Sequence, residues 1–204
     1  PVPEVKATGW PRGPIDRFVL SRLEAEGLAP SPEADRATLV RRVTLDLTGI
    51  VPTSADVEAF VADKAPEAYE RVVDRLFASP RFGEHRARYW LDYVRYADTH
   101  GIHFDNYRAI WPYRDYVINA FNTNKRFDQF TAEQLAGDLL PNPTIEQRVA
   151  TGYNRLNMMT REGGAQSAEY LAKYGAERVR GVSAAWFGST FGCAECHDHK
   201  FDPI

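Results

Sequence analysis

Near one end of the sequence, Cys193-Ala194-Glu195-Cys196-His197-Asp198-His199 places two thiols and an imidazole at the spacing Cys-x-x-Cys-His. That spacing attaches a c-type haem covalently. Each thiol can form a thioether with one vinyl group, and His197 can then reach the iron from the proximal side. Other readings use the same atoms. A Cys-x-x-Cys pair can cycle between dithiol and disulfide, but such pairs belong beside a βαβ pattern, and no such alternation is found in this sequence. Zinc takes four ligands tetrahedrally. Cys193, Cys196, His197 and His199 supply suitable atoms, yet the segment is too short for the usual pair of knuckles. Coincidence fits poorly with a chain whose Cys count is 2. One covalent haem c is the leading expectation, with Cys193 and Cys196 as attachment points and His197 as proximal iron ligand.

What a haem does turns on the opposite, distal side. A His or Met ligand suits electron transfer, whereas an open site permits oxygen or peroxide chemistry. Four side chains are candidates for that iron position: His100 and His103 in Thr99-His100-Gly101-Ile102-His103, and Met158 and Met159 in a second loop. Hydrogen bonding to Asp98 or Asp105 is the ordinary reading for the two histidines, and core filling for the methionines. His85 reads as a solvated helix histidine. His199 lies too close to the motif to cross the ring, and reads as a partner for a propionate or carboxylate. Trp186, Phe187 and Phe191 could line a haem face or pack in a core. Arg95, Arg108, Arg114 and Arg161 could hold propionates through paired N–H groups, or pair on the surface. Glu162, beside Arg161 and before Gly163-Gly164, could bring a carboxylate to the haem edge or simply form a turn.

The elements that must position these groups read as helices. Pro1 to Gly13 is an extended lead-in, and residues 14–204 a single helical haem domain of eight or nine short helices with long loops. Ile15, Phe18, Val19, Leu20 and Leu23 follow a helical period that stops at Gly27. Leu39, Val40, Val43 and Leu47 form a second stripe ending at Gly49. Thr53 with Asp56 reads as a helix cap, and Pro66 as the start of the next helix, carrying Val72 and Leu76. Arg81 to Asp98 is expected to be a long aromatic helix, Thr99 to Trp111 a loop, and Pro112 a first helical position. Thr131-x-x-Gln134 and Thr144-x-x-Gln147 both resemble capping boxes. Asn154 to Gln166 reads as a loop, Glu169 to Phe187 as a helix, and Gly188 to Gly192 as a flexible approach to Cys193. The class is mainly α.

Composition narrows the partners. With 44% hydrophobic and 26% charged residues and a net charge of −3, the chain matches a soluble globular protein and lacks the basic surface of a nucleic-acid binder. No run is long and apolar enough for a membrane span. A first residue of Pro1 reads as a mature or excised segment. Covalent haem attachment in bacteria is extracytoplasmic, so a periplasmic, secreted or cell-surface location is expected.

Several longer motifs carry a family resemblance: Ser31-Pro32-Glu33-Ala34-Asp35-Arg36, Arg41-Arg42-Val43-Thr44-Leu45-Asp46-Leu47-Thr48-Gly49, Trp111-Pro112-Tyr113-Arg114-Asp115, Phe127-Asp128-Gln129-Phe130-Thr131, Gln134-Leu135-Ala136-Gly137-Asp138-Leu139-Leu140-Pro141, and Cys193 to Pro203. In this order they resemble a bacterial domain of unknown function described as planctomycete cytochrome C, from about Pro14 to Ile204. The resemblance implies a large extracytoplasmic multidomain protein in which this domain neighbours a cytochrome c module. It carries Cys193, Cys196 and His197 over as haem residues and implies no established substrate. The chain departs at Tyr89, where the family often has His, so no iron-ligand role transfers there. The expected function is electron relay to a redox partner protein or an adjacent cytochrome domain. The alternatives are a peroxidase- or oxidase-like haem enzyme, with His100, His103 or Glu162 as acid–base groups, and a haem-free interaction or zinc-binding domain.

Overall fold

In this computed structural model, which describes residues 1–202, every regular element is helical, and extended backbone pairs only in an isolated antiparallel bridge between Thr99 and Tyr107. The mainly α expectation holds, with nine α-helices among the described residues. The chain divides into two compact units, Pro1–Leu39 and Val40–Ile204.

In the first unit, α1 (Pro14–Ala25) begins where Pro14 fixes φ and costs no hydrogen bond. Asp16 reaches back to accept the N–H groups of Arg12 (2.8 Å) and Gly13 (3.0 Å). The extended lead-in is tied down as well. Glu24 accepts the N–H groups of Lys6 (2.9 Å) and Ala7 (3.0 Å), and these bonds hold its carboxyl below the usual range. Ile15, Phe18 and Val19 stay exposed instead of facing inward, since this unit contains no second complete helix to cover them.

The second unit contains the end of α2 (Arg36–Thr48) and then α3 (Ser54–Ala62), α4 (Ala68–Phe77), α5 (Pro80–Tyr93), α6 (Trp111–Asn122), α7 (Phe127–Ala136), α8 (Ile145–Ala150) and α9 (Ser167–Val182). Capping follows local chemistry at Thr53 and Thr144, whose hydroxyls accept from Asp56 and Gln147 backbone N–H groups. Thr131-x-x-Gln134 is not a cap. It lies inside α7, where the Thr131 hydroxyl accepts the Trp186 indole N–H at 2.9 Å. The expected long helix ends early, at Tyr93, because Arg95 takes a left-handed φ of 58°. Tyr96 N–H then bonds the Leu91 carbonyl (2.8 Å) and Arg95 N–H the Asp92 carbonyl (3.0 Å), closing a Schellman turn.

The core gathers Ala87, Trp90, Val94, Tyr113, Tyr116, Val117, Ala120, Phe130, Ala150, Tyr153 and Leu156. Trp90 is central. Its ring stands edge-on to Phe130 (5.0 Å between centroids) and Trp186 (5.2 Å), and its N–H donates to Gln134 Oε1 at 2.9 Å. Such aromatic pairs add to the burial term. Below them Glu133, 2% exposed, accepts from Tyr116 (2.9 Å), Gln129 (2.9 Å) and Lys125 (2.6 Å). Burial alone raises its pKa, but these donors outweigh it and the net shift is downward. A buried charge persists here because its acceptor sites are filled.

Candidate functional site

Helix α9 delivers the Cys-x-x-Cys-His segment. Its last turn widens to a π-type turn over Ser183–Phe187, and Gly188, at φ 60°, reverses the chain. Trp186 turns into the core, edge-on to Tyr153 at 4.9 Å. Phe187 stays 67% exposed, its ring 6.0 Å from that of Phe191. A short turn, Gly192–Glu195, then carries the first cysteine. Cys196 N–H (3.2 Å) and His197 N–H (3.3 Å) both donate to the Cys193 carbonyl. This is one helical turn, which brings residues three and four apart onto a common face. Cys193, Cys196 and His197 therefore share one side of the turn. Both cysteines are free and exposed, and His197 is exposed too.

The imidazole of His197 is oriented from behind. Its Nδ1 lies 2.7 Å from the Asp198 carbonyl oxygen. A carbonyl can only accept, so Nδ1 is the protonated nitrogen in this contact, and in the neutral ring Nε2 is the nitrogen whose lone pair a metal ligand needs. His199 is arranged the other way. Its Nδ1 accepts the Asp202 N–H at 3.0 Å, with the Asp202 carboxylate 3.1 Å away, so the ring is turned towards its own segment.

An ionic ladder fastens the turn. Glu195 pairs with Arg180, which also bonds Glu177 (3.0 Å), and Glu177 pairs with Arg95 at the end of α5. The Glu177 hydrogen bond, then the Glu195 charge, raise the Arg180 pKa. The Arg95 guanidinium lies close over Gly181, where a Cβ would come 2.8 Å from its Nη2.

A cleft of about 250 Å³ lies beside this ladder, lined by Ile102, Met158, Tyr170, Lys173, Tyr174, Glu177, Arg180 and Glu195. It joins the motif turn to the two loops expected to hold distal groups. Met158 lines it directly. Met159 is half-buried and its N–H donates to the His100 carbonyl at 3.1 Å. His103 does not bond Asp105; its Nδ1 lies 2.7 Å from Glu162 and its Nε2 3.4 Å from the Tyr170 hydroxyl. His100 is buried and bonds neither Asp98, which accepts from the Tyr96 hydroxyl, nor Asp105, which accepts from Gly101 N–H. That isolation depends on residues far along the chain, and no local pattern signals it.

The arginines divide. Arg95 joins the ladder, Arg114 pairs with Asp115 (3.0 Å), and Arg108 donates to the carbonyls of Arg155 (2.8 Å) and Asn157 (3.1 Å). Arg161 is exposed. His85 is half-buried instead of solvated, with its ring against Gly49, and burial, with Arg88 and Arg86, lowers its pKa. Tyr89 is exposed, with the Arg88 guanidinium 4.6 Å above its ring.

As a donor set the motif turn suits a c-type haem: two free thiols and an oriented imidazole on one face. The cleft, at about 250 Å³, is smaller than the roughly 300–1,000 Å³ of ligand pockets that enclose their occupant, and Glu195 is the motif residue that borders it. Zinc gains no support, because no group of three or more His, Cys, Asp or Glu able to hold a metal ion occurs among the described residues.

A family model described as "PSCyt2: Protein of unknown function (DUF1549)" matches residues 14–204. No curated protein and no solved structure matches the chain.

Proposed function

The chain belongs to this family, and on that footing we propose that it is a c-type haem domain relaying electrons within an extracytoplasmic redox protein. The observation that carries the reading is the motif turn itself, where His197 Nδ1 is committed to a carbonyl while Cys193 and Cys196 stay free on the same face. Cys193 and Cys196 would hold the haem and His197 its iron; the bound group would supply one-electron chemistry. The protein orients His197, anchors the turn through Glu195 and Arg180, and supplies a cleft wall. Its partner would be another redox protein or a neighbouring cytochrome domain in the same polypeptide. No helix of the described residues is long and apolar enough to cross a membrane.

The test is a pyridine haemochrome spectrum of the full chain matured with haem-attachment machinery. One covalent haem per chain is expected, and Cys193→Ala with Cys196→Ala should abolish it. Absence of covalent haem in the unsubstituted chain would sink the reading.

A second reading, an open-site haem enzyme, draws on one observation. His103 stands between Glu162 and Tyr170, and Tyr170 faces the cleft. An imidazole oriented by a carboxylate is an arrangement that can move protons. Fast binding of cyanide or carbon monoxide by the haem-loaded protein would favour this reading; slow or absent binding favours relay.

A further inference from the structure

A cavity of about 610 Å³ lies along α5 and α6, within the roughly 300–1,000 Å³ typical of small-molecule sites. None of its lining residues belongs to the motif turn or to the ionic ladder. Its two walls are fixed against each other. Gly83 N–H donates to Asn122 Oδ1 at 2.8 Å towards one end, and the Trp90 indole N–H lies 3.2 Å from the Tyr113 hydroxyl towards the other. Ala87, Leu91 and Ile118 supply the apolar part of the lining. Tyr96, also on the wall, donates its hydroxyl to Asp98 at 2.6 Å, so it presents a ring rather than a free donor.

Four charged side chains line the same space: Glu84, Arg88, Asp92 and Arg114. Two of them are already neutralised. Glu84 pairs with Arg81 at 2.6 Å, and Arg114 gives both Nε and Nη2 to Asp115. Among the described residues, Arg88 and Asp92 have no hydrogen-bonding or ion-pair partner for their side chains. They stand four apart on α5, a spacing at which opposite charges usually meet. The Arg88 guanidinium lies instead 4.6 Å from the centre of the Tyr89 ring, a contact that steadies the cation and leaves its N–H groups unspent. Asp92 sits in the last turn of α5, which holds no basic residue. A carboxylate is disfavoured there by the helix dipole unless a cation meets it.

The uncommitted groups are thus one cation and one anion, a helical turn apart, facing one cavity. Asp92 would repel a simple anion, and Arg88 a simple cation. A ligand with both charges on neighbouring atoms satisfies the two at once, through charge-assisted hydrogen bonds. We propose that this cavity binds a small zwitterion of the α-amino-acid type, with its carboxylate on Arg88, its ammonium on Asp92 and an aliphatic side chain against Ala87, Leu91 and Ile118. The site is independent of the haem reading.

The test is isothermal titration calorimetry of the full chain with leucine, glycine, and two truncated forms of leucine, its deaminated acid and its decarboxylated amine. Leucine is expected to bind at a single site, more tightly than glycine, which lacks the apolar side chain, and more tightly than either truncated form. Arg88→Gln should weaken leucine about tenfold or more and leave the amine unchanged, whereas Asp92→Asn should weaken leucine similarly and leave the acid unchanged. Both positions are exposed, and an unchanged urea midpoint shows that each variant is folded. Absence of saturable leucine binding overturns the proposal. So does a truncated form that binds as tightly as leucine, which would make this a site for an anion or a cation alone. Leucine binding that neither substitution weakens overturns it as well.

Discussion

Asp56 joins two helices through one carboxylate. Its Oδ2 accepts from the Thr53 hydroxyl (2.6 Å) and the Thr53 N–H (3.2 Å), while its Oδ1 pairs with Arg75 on α4. The Thr53 hydroxyl, and after it Arg75, lower the pKa from 3.8 to about 2. The folded value lies below the unfolded one, so the folded state holds this proton less tightly. The resulting stability is present in full above the unfolded value and disappears as pH falls from about 4 towards 2. Asp56→Asn should therefore lose on the order of 1 kcal/mol at neutral pH, discounted for partial exposure. Urea unfolding of both chains across this range is the check. The difference should shrink as pH falls through about 2, and a gap as large at the acid end as at neutral pH would refute the linkage. Glu133 follows the same sign with its carboxylate fully inside.

Helix contacts show why some features can be read locally and others cannot. Thr53-x-x-Asp56 and Thr144-x-x-Gln147 are caps that the sequence displays, because every partner lies within one turn. Thr131-x-x-Gln134 has the same pattern and a different fate. Its threonine is taken by Trp186 and its glutamine by Trp90 and Tyr113, side chains that only folding brings near. The candidate site divides along the same line. Cys193, Cys196 and His197 lie within one short segment and are legible as a motif, whereas the placing of His100 depends on distant chain, its carbonyl accepting the Met159 N–H while its ring nitrogens have no partner. Gly83 gave no signal either. It lets α5 and α6 touch, since a Cβ there would lie 2.5 Å from the Ile118 carbonyl oxygen and from Asn122, and its N–H donates to Asn122 Oδ1 at 2.8 Å. Gly83→Ala should cost about 1–3 kcal/mol, the usual range for overpacking against an immovable backbone. Gly175→Ala on α9, with nothing within 4 Å, should instead gain roughly 0.5–1 kcal/mol from helix propensity. Chemical denaturation of the pair tests the packing argument, and equal effects would contradict it.

For the whole molecule, the compartment determines what becomes of the two thiols. Among the described residues Cys193 and Cys196 are free, exposed and on one turn, and the ionic ladder through Arg180 and Glu177 keeps that turn against α9. In an oxidising compartment an exposed pair at this spacing closes to a disulfide unless thioethers form first. The haem reading therefore predicts three states of one chain. Produced in a reducing cytosol, it should show both thiols to a thiol reagent. Exported without attachment machinery, it should show none until a reductant is added, and then both. Matured with haem, it should show none even after reduction, because a thioether is not cleaved by thiol exchange. Thiol titration with intact-mass measurement distinguishes the three. Free thiols in the exported chain before reduction would mean the turn holds the sulfurs apart. Thiols recovered from the haem-matured chain would mean the motif binds without bonding.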